Sequence, residues 1–278
     1  MNGFRSMGTE VLLPDGAPLA NVQALFDARD RRFSRFHDSS ELNRVNASPR
    51  GLMPVSEEFA SMLSLALDAA RATGELVTPA VGGALIAAGY DRDFRRLPLD
   101  GVAVEPVRVP SLHSLALRGV ALLRAEPVIL DLNGVVKGQT VDDALALLGD
   151  GWVSAGGDIA TTVPLVVGLP GGDVITLERG GLATSSVARR AWHRGGVRQH
   201  HLIDPATGLP STSPWRDVTV AAQSCYIADV AAKAALLLGS AGPSWLDRRR
   251  LAGRFVDHEG DVTVTARWLQ AVPVELAA

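Results

Sequence analysis

Asp131-Leu132-Asn133-Gly134-Val135-Val136-Lys137-Gly138 follows the apolar run Val128-Ile129-Leu130 and leads into a helical pattern. The run from Val128 to Asp131 predicts a strand, and Asn133-Gly134 breaks it. A helix is expected from about Thr140 to Leu148, stopped by Gly149. The segment matches neither G-x-x-x-x-G-K-[ST] nor G-x-G-x-x-G, so it supports neither a Walker A loop nor a Rossmann turn. A carboxylate at a strand end, glycines that permit close backbone approach and a lysine at a helix start suit a phosphate or pyrophosphate. An ordinary strand–turn–helix connection has the same residues, and spacing alone does not choose.

Reading outward, Asn21 to Phe36 carries Val22, Leu25, Phe26, Phe33 and Phe36 and predicts a helix with Asn21 as N-cap. His37 to Asn46 reads as a polar loop. Ser56 caps a helix from Glu57 to Ala72, ended by Thr73-Gly74. Val102 to Val109 and Ala116 to Leu123 read as strands, as do Trp152 to Ala155 and Leu165 to Leu169. Gly156-Gly157-Asp158 and Gly171-Gly172-Asp173 read as turns. Asp217 to Ala222 predicts a strand, Tyr226 to Leu238 a helix, and Arg254 to Val256 with Val262 to Thr265 a closing strand pair. The elements alternate without a regular βαβ series. The expectation is an α+β fold, mostly antiparallel sheet with covering helices, as one domain over residues 1–278.

The sequence has 278 residues, 47% of them hydrophobic, and a formal charge of −3. That is enough apolar material for a substantial core. The charge leaves no electrostatic footprint for nucleic acid. Arg248-Arg249-Arg250 reads as a solvated helix end. One cysteine, Cys225, excludes an internal disulfide framework and reads as a small buried hydrophobe. The first residues lack the apolar core of a signal peptide, and no transmembrane run of about 18 apolar residues occurs. A cytoplasmic location is expected.

Chemistry concentrates in a few places. His200-His201-Leu202-Ile203-Asp204-Pro205-Ala206-Thr207-Gly208-Leu209-Pro210 places two imidazoles and a carboxylate in a rigid, non-helical loop. It reads as an active-site loop or as a surface turn with solvated histidines. Asp229 and Lys233 share one helix face, either as a cation site with a neighbour or as an ion pair. Ala183-Thr184-Ser185-Ser186 offers hydroxyls to a ligand or to the backbone. Ser40-Glu41-Leu42-Asn43-Arg44-Val45-Asn46 does the same with a mixed polar set.

The order of these segments is more telling than any one of them. Met7-Gly8-Thr9, Ser40 to Asn46, Pro79-Ala80-Val81-Gly82, Asp131 to Gly138 with Asp142, Gly156-Gly157-Asp158, Ala183-Thr184-Ser185, His201 to Pro210 and Ala228-Asp229 together resemble the ApbE family of FAD:protein FMN transferases. The resemblance covers nearly the whole chain. It implies FAD held between two lobes of one α+β fold, Mg2+-assisted cleavage of the FAD pyrophosphate, and attachment of FMN by a phosphoester to a Thr or Ser of a target flavoprotein. Some members of the family instead hydrolyse FAD to FMN and AMP.

By the same resemblance, Asp131 and Lys137 contact FAD. The Gly134 carbonyl and the Asp229 carboxylate ligate Mg2+. His201 takes the proton of the acceptor hydroxyl. Thr184, Met7 and Ala88-Gly89-Tyr90 line the flavin or adenine pocket. The chain departs from the family where a metal-binding Thr usually follows the metal-binding Asp by four residues, because Lys233 stands there. An ammonium cannot ligate a cation. Three consequences are open: Lys233 swings away and leaves a water, it stands in for the cation, or the chain binds FAD and transfers nothing. Thr78 near a common Asp-Pro and a missing lipoprotein leader are two further departures. The rival expectations are a non-catalytic FAD-binding module and an Mg2+-dependent FAD pyrophosphatase.

Overall fold

The computed structural model describes residues 2–271 and 274–275. Its helices are α1 (Leu19–Phe33), α2 (Glu41–Ala47), α3 (Glu57–Ala72), α4 (Gly82–Ala87), α5 (Val136–Leu148), α6 (Cys225–Leu237), α7 (Gly242–Arg248) and α8 (Ala266–Ala271). Every strand pairing among the described residues is antiparallel. The α+β expectation is met. Two compact units divide the chain. The first comprises Met1–Asp27, Lys137–Ala188 and Thr212–Ala278, and the second Ala28–Val136 and Arg189–Ser211.

The first unit is built on an eight-stranded sheet. Its order is Asn2–Ser6, Thr9–Leu13, Trp152–Ala155, Asp158–Thr161, Gly180–Ser186, Trp215–Ala222, Ala252–Asp257 and Val262–Val264. Val11, Leu13, Val22, Phe26, Val141, Val153, Ala155 and Cys225 form one apolar cluster. Burying a side chain such as Phe26 or Leu13 stabilises by about 1.5–3 kcal/mol. Ala228, Ala231, Ala232, Ala234 and Ala235 are buried in α6. These small residues let the helix lie close to the sheet, and Gly181 does the same from the strand side. A Cβ on Gly181 would stand 2.1 Å from the Cys225 nitrogen.

The second unit has helices on a three-stranded sheet of Gly51–Pro54, Ala121–Arg124 and Leu115–Arg118. Ser56 caps α3 by accepting from the Phe59 N–H at 3.1 Å. Phe59, Met62, Leu63, Ala66, Leu67 and Ala70 then bury one helical stripe, as the periodicity expects. Two small hairpins complete the unit, Ala191–Arg194 with Val197–His200 and Ile203–Asp204 with Leu209–Pro210.

Several boundaries differ from the sequence expectation. Helix α1 begins at Leu19 behind Pro18, and Asn21 lies inside it as a donor to the Pro18 carbonyl. Proline at a helix start is preorganised, so the start moves upstream. The expected polar loop contains α2, which Ser40 caps by accepting from the Asn43 N–H at 3.0 Å. The expected strand Ala116–Leu123 is a hairpin turned at Gly119, whose φ is +55°. Val102–Val109 and Val128–Asp131 form no ladder. Pro106 removes a donor from the first of these runs, and Pro110 follows directly after it. Helix α5 starts at Val136, not Thr140. The strand at Trp152–Ala155, the turns at Gly156 and Gly171, and the closing strand pair are as expected.

Candidate functional site

In the first unit, glycine decides how close α5 comes to α6. A Cβ on Gly138 would sit 3.0 Å from the Tyr226 Cα and 3.2 Å from the Asp229 Cβ. The first turn of α5 therefore lies against the start of α6. Ser224 caps α6 by accepting from the Ile227 N–H at 3.2 Å. Asp142, on α5, accepts from the N–H groups of Cys225 and Tyr226 at 2.8 Å each. Its negative charge thus meets the positive end of α6. Burial outweighs these bonds and pushes the Asp142 carboxyl above its ordinary range.

That packing gathers four ionisable side chains. Lys137 Nζ donates to Asp158 Oδ2, and Lys233 Nζ donates to Asp229 Oδ1. Asp158 is 1% exposed and Asp229 2%. Asp158 opens the strand after the Gly156-Gly157 turn, a position that faces the interior on both sides. Burial pushes its carboxyl up, Lys137 pulls it down, Asp229 pushes it up again, and the net direction is upward. Burial alone would lower the Lys137 ammonium, but Asp158 and then Asp229 hold it above its usual range. Two ammoniums against two carboxylates leave the cluster neutral overall. Oδ1 of Asp158 and Oδ2 of Asp229 are buried and make no hydrogen bond among the described residues.

The expected site residues Lys137, Asp229 and Lys233 are therefore brought together, and Asp158 joins them. Cys225 lies beside this cluster. Burial first, then the charges of Asp158 and Asp229, push its thiol well above the ordinary value, which keeps it neutral and unreactive. Met7 stands at a hairpin turn with φ +49° and packs on the same apolar cluster as Cys225. Thr184 is mid-strand, and its hydroxyl meets the Thr219 hydroxyl at 2.8 Å.

In the second unit, Arg35 is the organising residue. Its Nε donates to Asp131 Oδ2 at 2.5 Å and its Nη1 to the Tyr90 carbonyl at 3.0 Å. Asp131 Oδ1 accepts from the Asn133 N–H at 2.8 Å, which shapes the turn leading to Gly134. The guanidinium also lies over the Phe36 and Tyr90 rings, at 5.0 and 5.5 Å. Tyr90 stacks on Trp192 at 5.3 Å. Trp192 Nε1 donates to the Ala88 carbonyl at 2.7 Å, and Arg194 to the Gly89 carbonyl at 3.2 Å. Ala88 and Tyr90 are thus buried in an aromatic cluster with Leu85 and Ile203. Gly89 is required twice over, by φ +91° and by the Arg194 guanidinium that a Cβ would strike.

The histidine loop is tied down by hydrogen bonds within and beside it. His200 is buried and shares a 3.0 Å hydrogen bond between Nε2 and the Ser211 carbonyl. Its Nδ1 accepts from the Leu202 N–H at 3.3 Å, so Nε2 carries the proton. The Asp204 carboxylate accepts from the Ala206 N–H, its carbonyl from the Gly208 N–H, and Gly208 turns at φ +70°. His201, the neighbouring imidazole, is half-exposed. The two histidines therefore have different environments, one locking the loop and the other reaching solvent.

The Ser40–Asn46 segment follows its backbone reading. Glu41 accepts from the Ser56 N–H and hydroxyl at 2.7 Å and from Arg32 at 2.9 Å. Asn46 exchanges hydrogen bonds with the Leu130 backbone. Arg35 and Asp158 were missed as site residues. Arg35 stands between Phe33 and Phe36 on an apolar stripe, where a cation needs a buried partner. Asp158 follows a Gly-Gly turn into a strand of buried residues, where a carboxylate needs one equally.

A divalent cation at Asp229 would share its carboxylate with the Lys233 ammonium. Among the described residues, no group of three or more His, Cys, Asp or Glu could hold a metal ion. The donor set around Asp229 is two carboxylates already matched by two ammoniums, and it does not fit Mg2+ as it stands.

The sequence profile described as the ApbE family matches residues 7–255. The FAD:protein FMN transferase of Treponema pallidum (strain Nichols) is 28% identical over 271 residues, covering 80% of this chain and 72% of the relative. That of Rhodobacter capsulatus is 27% identical over 255 residues, covering 81% and 48%. The chain thus spans about half the length of the latter. The ApbE protein of Thermotoga maritima superposes with a TM-score of 0.85 at 23% identity, over 97% of both chains. The flavinyl transferase ApbE of Pseudomonas stutzeri, in its apo form, gives 0.80 at 19% identity, over 98% of this chain and 97% of that one. At these identities the structural likeness speaks for the fold.

Proposed function

The chain belongs to the ApbE family, and from that premise we propose that it transfers FMN from FAD to a Thr or Ser hydroxyl of a target flavoprotein. The observation that carries the reading is the family match across residues 7–255, supported by relatives named FAD:protein FMN transferase. In the proposed reaction the acceptor oxygen attacks the FMN-side phosphorus and forms a phosphoester. The bond from that phosphorus to the bridging oxygen breaks, and AMP departs. His201 takes the acceptor's proton, a role suited to an imidazole.

Charge on the transferring phosphorus must be neutralised. Lys137 supplies an ammonium for this, and its upward-shifted pKa keeps it protonated through the physiological range. Asp131 contacts FAD while Arg35 holds it in place. Thr184, Met7 and the Ala88-Gly89-Tyr90 segment line the flavin or adenine pocket. Mg2+ is the part of the family chemistry that the Asp229 and Lys233 pair does not accommodate, and no step here passes through it. Among the described residues no helix is long and apolar enough to cross a membrane. A cytoplasmic location is part of the proposal, to be checked by cell fractionation.

The test is incubation with FAD, with and without Mg2+, and a candidate target domain. A flavin-fluorescent band on a denaturing gel is the expected result. AMP release without labelling would replace transfer by pyrophosphatase activity. Tight FAD binding with neither product would make the chain a flavin-binding module, the reading that the buried Lys233–Asp229 pair favours.

A further inference from the structure

Asp229 is the carboxylate that the family resemblance assigns to a divalent cation, yet its Oδ1 already accepts from the Lys233 ammonium. The side chains are 4% and 15% exposed, so this pair is shielded from water and salt. A second ammonium, Lys137, is bound to Asp158 in the same cluster and feels the charge of Asp229. Lys233 is one helical turn from Asp229 on α6 and cannot leave without exposing a buried carboxylate that has no other hydrogen-bond partner among the described residues.

We infer that the Lys233 ammonium is the resident cation of Asp229, and that it excludes divalent metal from this carboxylate in the free protein. The charge count decides it. The cluster is neutral as built. A +2 ion at the open Asp229 oxygen would leave it with a net +2 in a buried site, at contact distance from a fixed ammonium. Asp229 then acts as a positioning residue for Lys233. Of the three open consequences of Lys233, this selects the second. The exclusion of metal does not rest on the proposed function.

The experiment uses Mn2+ as the probe, read by electron paramagnetic resonance on the whole protein. Wild type without FAD should show no saturable site at one ion per chain. Lys233→Thr, which removes the ammonium and adds a hydroxyl, should gain such a site, with affinity raised at least ~10-fold. Lys233→Arg should behave as wild type. Lys233→Gln serves if the Thr variant does not fold. FAD fluorescence titrations form the second arm. A saturable Mn2+ site in wild type overturns the inference, and so does a Lys233→Thr protein that still binds none. Absence of FAD binding in every protein, with the Mn2+ pattern as expected, would fault the proposed function alone.

Discussion

Replacing Arg35 by Met should destabilise the second unit by about 3–5 kcal/mol, the usual cost of breaking a buried pair by removing one member. Both side chains are almost fully shielded, 3% exposed for Arg35 and 4% for Asp131, and their atoms meet at 2.5 Å. Methionine would retain much of the packing against Phe36 and Tyr90 but would strand Asp131, which keeps the Asn133 N–H at 2.8 Å and a long contact to the Asn133 amide at 3.5 Å. It would also remove the donor that the Tyr90 carbonyl uses. Against a typical total stability of about 5–15 kcal/mol, such a loss is large. The assay is urea unfolding of wild type, Arg35→Met, Asp131→Leu and the double variant. The double variant should be more stable than the sum of the singles implies, with a coupling of at least about 1 kcal/mol, because no buried charge is left alone. Additive losses, or an Arg35→Met loss below about 1 kcal/mol, would refute the account in which Arg35 holds Asp131.

Gly138→Ala should lower stability by about 1–3 kcal/mol, because the new Cβ meets backbone of α6 at 3.0–3.3 Å; a thermal melt that does not move would show that the helices have room to part. Asp142→Asn should cost about 1 kcal/mol, since one amide oxygen cannot serve two N–H groups as the carboxylate does. The pH dependence of that difference has a definite sign. A carboxyl raised above its ordinary value of 3.8 in the folded state carries a penalty at neutral pH. The penalty is relieved as pH falls through the folded value and is gone below the unfolded one. Wild type should therefore gain on Asp142→Asn as pH drops from neutral toward 4, and a gap that narrows would contradict the shift. Cys225 should resist a thiol reagent in the native protein and react only at the rate of opening, because the buried thiol is held neutral; prompt native labelling would contradict that.

Most of the fold was legible where a local rule and the tertiary environment agree. The α3 helix is the clearest case, with Ser56 as its cap, acidic residues in its first turn and a continuous apolar stripe. Gly149 at φ +76° ends α5 for the reason a glycine ends any helix. Differences arose both from local signals, such as Pro18 before α1 and the Gly119 turn, and from tertiary contacts. The polar segment around Glu41 becomes α2 because Ser56 and Arg32 satisfy its carboxylate, partners 15 and nine residues away that no window around α2 contains. Val102–Val109 has a strand's composition, but Val102 is 86% exposed and Pro106 removes one of its donors. Hydrophobicity without a partner ladder makes no strand.

The chemistry followed the same division. Lys137, Asp229 and Lys233, to which helix periodicity and motif order pointed, do fall in one cluster. Asp158 and Arg35 were not legible, since each is defined by a partner distant in sequence: Lys137 lies 21 residues from Asp158, and Asp131 lies 96 from Arg35. Burial supplies the missing logic. An ionised group in an apolar environment must be paired or neutralised, so each shielded carboxylate implies a cation somewhere in the chain. Applied to Asp229, this reasoning turns a substitution into a structural requirement. Once a lysine stands one turn along α6, the carboxylate is satisfied from within. Any external cation then competes with a tethered one that pays no association entropy. On the inference drawn above, the position of a single ammonium is enough to separate this chain's cation requirement from that expected of its family.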